Sequence, residues 1–145
     1  MFNRMKDAPL MTVIMKEEQT AYQKALDYLY SFVDYSLTRS FRYSPEKFDL
    51  GRMAAFLDLL GNPQRRYAVI HVAGTKGKGS TAALTASSLS AAGYRVGFYT
   101  SPHLQEYTER IQINGMPISP AALAELVEAV KPFVAQIERL TTFEI

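Results

Sequence analysis

An apolar, β-branched run, Tyr67-Ala68-Val69-Ile70-His71-Val72-Ala73, leads directly into Gly74-Thr75-Lys76-Gly77-Lys78-Gly79-Ser80-Thr81. No other stretch restricts the possible folds so strongly. A nearly continuous apolar run of this length suits a strand covered on both faces, as in a parallel sheet. The glycine-rich segment then opens a helix from Ser80 to about Ala92, rich in Ala, Ser and Thr, which Gly93 closes. Tyr94 to Thr100 reads as a second strand. The spacing predicts a strand–loop–helix–strand unit with a right-handed crossover, and so an α/β fold: a parallel sheet with flanking helices.

The loop between strand and helix has the composition of a phosphate cradle. Glycines let successive backbone N–H groups turn into one concavity, and the helix start adds unpaired N–H groups and the positive end of its dipole. Gly74, Thr75, Lys76, Gly77, Lys78, Gly79 and Ser80 are the candidate phosphate-binding residues, with Lys78 able to bring a point charge to the β/γ-phosphates. The segment departs from the common G-x-x-x-x-G-K-[ST] pattern. Aligned on Gly77-Lys78, the first glycine would fall at Val72, and Gly79 intervenes before the hydroxyl of Ser80.

Around this unit the chain reads as helices and one hairpin. Tyr22, Ala25, Leu26, Leu29 and Val33 repeat at the spacing of one helix face, as do Met53, Phe56, Leu57 and Leu60. Gly61-Asn62-Pro63 should stop the latter, with Gly61 left-handed. Asn114-Gly115 predicts a small hairpin between Arg110 and Ile118. Ser119 and Pro120 should begin a helix whose apolar face continues to Ile137, kinked at Pro132. Residues 1–20 are expected to be a loose tail. Residues 21–145 are expected to be part of a larger α/β domain, because two strands leave sheet edges uncovered at Ile145.

Composition removes several alternatives. With 16 basic and 14 acidic residues, the net charge of +2 gives no reason to expect nucleic acid or an acidic membrane as partner. There is no cysteine and only two histidines, His71 and His103, so thiolate and histidine-rich metal sites are excluded while an oxygen-ligated Mg2+ is not. No apolar stretch is long enough for a membrane helix. A cytoplasmic location is the expectation.

Four ordered stretches resemble one family. Val72 to Ser80 is similar to the phosphate loop of the Mur-ligase superfamily, and its extra glycine resembles the folylpolyglutamate synthase/dihydrofolate synthase branch. Phe48-Asp49-Leu50-Gly51-Arg52, then Tyr99 to Leu104 followed by Glu109-Arg110-Ile111, and finally Leu140-Thr141-Thr142-Phe143-Glu144 resemble further stretches of that branch in the same order. The likeness runs from about Ala21 to Ile145.

The resemblance implies a ligase that uses ATP to activate the carboxylate of a folate or dihydropteroate, which L-glutamate then attacks. It implies a partial N-terminal ATP-binding domain in which Gly74 to Ser80 hold ATP, Lys78 is the main cation and catalytic residue, and Ser101 is a Mg2+ ligand. It also implies a pteroate site along Asp49, Leu50, Gly51, Arg52, Thr141, Thr142, Phe143 and Glu144. A carboxylate metal ligand, a metal-ligand histidine, a modified lysine and a C-terminal domain are expected beyond Ile145. The chain alone is therefore expected not to turn over, and the full-length protein to be a monomer. The rival readings are another phosphate-loop ATPase or kinase, and a non-catalytic nucleotide- or folate-binding remnant.

Simpler roles stand beside these. His71 is expected as a strand histidine and His103 carries no catalytic assignment. Asp49 suits a helix N-cap, and Glu109 and Arg110 suit a solvated pair.

Overall fold

The computed structural model describes residues 8–32 and 50–145. The chain divides into two compact units, Met1–Ala68 with Ala124–Ile145, and Val69–Leu123.

In the first unit, helix α1 spans Ala8–Tyr30. It begins well before Tyr22, so residues 8–20, expected as a loose tail, lie in a helix. Pro9 sits in the first turn, where no N–H is needed, and the residues after it contain no breaker. Side chains from Thr12 to Ala21 are exposed, and burial begins with Tyr22, Ala25 and Leu29. The packed part of α1 is thus the part with apolar periodicity. An exposed extension leaves no such pattern.

Helix α2 spans Leu50–Leu59. Gly61 (φ 74°) ends it as expected: Asn62 N–H donates to the Leu57 carbonyl (2.8 Å) and Gly61 N–H to that of Asp58 (3.0 Å). Phe56 of α2 is fully buried against Val134 and Leu140, with Tyr28, Phe32 and Met53 packed around them. Burying a phenyl ring of this kind contributes about 1.5–3 kcal/mol. The Thr142 hydroxyl, buried, closes the end of α1 by donating to the carbonyls of Leu29 (2.9 Å) and Phe32 (3.1 Å).

In the second unit, helix α3 (Lys78–Ala91) packs against β1 (Gly97–Tyr99), which pairs antiparallel with β2 (Ile111–Ile113). β2 pairs in turn with β3 (Met116–Pro117). The β2–β3 turn is Asn114-Gly115, both left-handed (φ 51° and 79°), the two-residue turn whose twist matches a hairpin. Asn114 also reaches back to Val96, donating its N–H and accepting through Oδ1, each at 2.8 Å.

The run 67–73 forms no strand, and Tyr67, Val69 and Ile70 are 65%, 65% and 63% exposed. A ladder needs neighbours, and every ladder among the described residues is antiparallel and lies between β1, β2 and β3. The parallel pairing expected for this run is not formed within them.

Helix α4 spans Pro120–Val134. The Ser119 hydroxyl accepts from Ala122 N–H (3.1 Å), the expected cap. Pro132 does not break the helix; Ala135 N–H still reaches the Lys131 carbonyl at 3.0 Å. It stops three residues short of Ile137.

Candidate functional site

The glycine-rich loop forms an open, exposed crook that ends in α3. Gly77 has φ 74°, a conformation costly for any residue with a Cβ, and its carbonyl accepts the first helical bond from Thr81 N–H (2.9 Å). Gly74, at φ 153°, begins the crook. Lys78 is the first helical residue, and its Nζ donates to the Gly74 carbonyl at 2.7 Å. The ammonium therefore spans the loop from its last turn to its first residue. A Cβ on Gly79 would meet no atom within 4 Å, so nothing in the chain itself requires that glycine to be small. The space beside it is open. Thr75, Lys76 and Ser80 are exposed along the same crook.

Ser101 lies two residues beyond β1. The chain turns at Gly93, left-handed at φ 87°, and β1 packs on α3. Ser101 is exposed, and its hydroxyl makes no hydrogen bond among the described residues. After it comes a segment tied up by side chains. Glu109 accepts from the backbone N–H groups of Leu104 (2.8 Å), Gln105 (3.0 Å) and Glu106 (2.8 Å). The N–H groups of Glu106 and Leu104 hold its carboxyl below the usual glutamate range against an opposing desolvation cost, and Gln105 adds a smaller pull.

Arg110 Nε donates to His103 Nδ1 (2.9 Å), and its guanidinium carbon lies 4.7 Å from the centre of the Tyr107 ring. Glu109 and Arg110 are thus not a solvated pair; each organises the segment between them and Ser101. The glutamates at 106 and 109 have the spacing of a capping box, a signal present in the sequence. The His103–Arg110 bond had none.

The remaining assigned residues lie in the other unit. Arg52 donates to Glu144 Oε1 through Nε (3.0 Å) and Nη2 (2.8 Å), and Glu144 Oε2 accepts from the N–H and hydroxyl of Thr141, both at 2.9 Å. Both side chains are nearly buried, 12% and 13% exposed. Two motifs separated by most of the chain are joined here, and both carboxylate oxygens of Glu144 are engaged within the protein. Beside this pair in sequence stand two exposed apolar side chains, Leu50 (83%) and Phe143 (71%). Gly51 is exposed, Thr142 is committed to α1, and Asp49 lies outside the described residues.

Magnesium prefers oxygen ligands and commonly keeps waters and nucleotide phosphates around one or two protein groups. The free hydroxyl of Ser101 fits that part. Among the described residues no group of three or more His, Asp or Glu is gathered to hold a metal unaided. None of the described helices is long and apolar enough to cross a membrane.

A glycine crook at a helix start, a lysine across its mouth and an α3–β1 return define a phosphate-loop module of the α/β class. No family model matches the chain. It is 39% identical over 131 residues to a dihydrofolate synthase/folylpolyglutamate synthase of Bacillus subtilis (strain 168), covering 87% of this chain and 28% of that protein. Mycobacterium tuberculosis folylpolyglutamate synthase complexed with ADP matches it with a TM-score of 0.74 and 36% identity, over 88% of this chain and 28% of that one. An FPGS–AMPPCP–folate complex matches with a TM-score of 0.72 and 37% identity, over 85% and 29% respectively. The chain belongs to the folylpolyglutamate synthase/dihydrofolate synthase family and spans about 28% of the length of the relatives it matches.

Proposed function

We propose that this chain is the ATP-binding front part of a ligase that joins L-glutamate to folates, to dihydropteroate, or to both. The single observation that carries the reading is the Lys78 ammonium held on the Gly74 carbonyl across an exposed crook at the start of α3. An arriving polyphosphate exchanges that carbonyl for its own oxygens, so the cation is already in position and little reorganisation is needed. The ADP and AMPPCP held by the two solved relatives support the same reading.

A carboxylate is a poor electrophile until one oxygen becomes a leaving group. In the proposed reaction a folate carboxylate oxygen attacks the γ-phosphorus of ATP, the bond to the β-bridging oxygen breaks, and ADP leaves. The glutamate amine then attacks the acyl carbon, the C–O bond to phosphate breaks, and the nitrogen loses its proton. The work of Gly74 to Ser80 is positioning and charge neutralisation. Ser101 would hold Mg2+, which when bound would further neutralise the phosphates.

Leu50 and Phe143 offer apolar contacts for the pteroate, on a frame fixed by Arg52, Thr141 and Glu144; Asp49, Gly51 and Thr142 belong to the same stretches. The substrates ATP and L-glutamate are plentiful in the cytoplasm, where we place the reaction.

Lys78→Ala tests the assignment by calorimetric titration with AMPPCP. Losing a charge-assisted contact of about 1.5–3 kcal/mol lowers nucleotide affinity by tenfold or more, while dihydropteroate binding is spared. A variant that binds AMPPCP as tightly as the parent chain removes the phosphate-loop assignment.

A further inference from the structure

We propose that Arg110 is a positioning residue for Ser101, anchoring the backbone on both sides of that hydroxyl. Thr100 N–H, immediately before Ser101, donates to the Arg110 carbonyl (3.0 Å). His103, two residues after it, accepts the Arg110 Nε–H through Nδ1 (2.9 Å). One residue thus terminates both tethers.

Arg110 is itself fixed from three directions. Its carbonyl continues the β1–β2 ladder just beyond the Tyr99–Ile111 pair. Its guanidinium lies over Tyr107, whose ring centre is 5.6 Å from that of His103. Glu109, next to it, binds three consecutive N–H groups of the intervening segment.

The guanidinium only donates, so His103 Nδ1 accepts through its lone pair and the ring's N–H is on Nε2. Ser101 is left as an exposed hydroxyl, unengaged among the described residues, on a braced backbone. A hard ion that needs near-octahedral geometry gains from such a brace, and partners one step behind a ligand commonly change metal affinity by about 10- to 100-fold. The inference rests on Ser101 as a Mg2+ ligand.

The test is AMPPCP binding by the full chain, titrated with Mg2+ and repeated in a chelator. Arg110→Met raises the half-saturating Mg2+ concentration by about tenfold and leaves metal-free AMPPCP affinity unchanged. His103→Leu does the same. His103→Asn, whose amide oxygen can replace Nδ1 as acceptor, keeps the parent midpoint and guards against a variant that merely misfolds. Imidazole nitrogen NMR reports the Nε2-protonated tautomer in the parent chain and its loss in Arg110→Met. Ser101→Ala shifts the midpoint by itself and makes Arg110→Met silent when the two are combined.

An unmoved midpoint in both Arg110→Met and His103→Leu, or an equal loss of metal-free affinity, overturns the brace. If Ser101→Ala leaves the midpoint unmoved, the ligand assignment fails and the proposal fails with it. If Ser101→Ala shifts it and Arg110→Met does not, the brace alone is wrong. A parent chain that binds no AMPPCP overturns both at the earlier step.

Discussion

Arg52 and Glu144 stand 92 residues apart in the chain, yet two guanidinium N–H groups meet one carboxylate oxygen while Thr141 occupies the other. With both side chains nearly out of water, removing one partner strands the other's charge. Arg52→Met and Glu144→Gln are each expected to destabilise the chain by about 3 kcal/mol, and the double variant by clearly less than the sum. Urea unfolding of the four proteins measures this coupling. Strict additivity would mean that the pair contributes nothing as a pair. The sequence marked both residues through separate motifs, but no local pattern states that they bind each other.

At the scale of elements, the short 3-10 turn Tyr107–Arg110 carries more than its length suggests. A turn of four residues has little stability of its own, and here one carboxylate accepts the N–H groups that lead into it. Because folding lowers the Glu109 pKa, its stabilising effect is present above the ordinary glutamate range and is lost as pH falls through the folded value. Protection factors for amide exchange at Leu104 to Glu106 should therefore fall in acid more than those in β2. Glu109→Gln should give fast exchange already at neutral pH. Equal protection in that variant would assign the order of the segment to some other contact.

At the scale of the whole molecule, one extended run among the described residues brings three exposed apolar side chains together, Tyr67, Val69 and Ile70. It has the composition of a buried strand without a neighbour among the described residues, and an unpaired apolar strand is a template for pairing with another copy. Val69→Lys is expected to extend the concentration range over which the chain sediments as a monomer, leaving its melting temperature unchanged. Identical self-association in the variant would show that another surface drives it. The same run explains why the expected parallel pairing was legible and yet is not formed here. Apolar patterning reports what a segment needs, whereas a ladder also requires its partner.

Local backbone events were decided by the sequence itself: the left-handed Gly77 at the mouth of α3, the Asn114-Gly115 turn, the Ser119 cap and the Gly61 stop. Each depends on sterics and hydrogen bonds within a few residues, so neighbours suffice to specify it. Only the tertiary structure decided that Thr142 closes α1, that Glu144 is saturated by Arg52 and Thr141, and that Arg110 ties His103 to Thr100. Those contacts join groups whose proximity is created by folding, and side-chain chemistry alone does not name its partner.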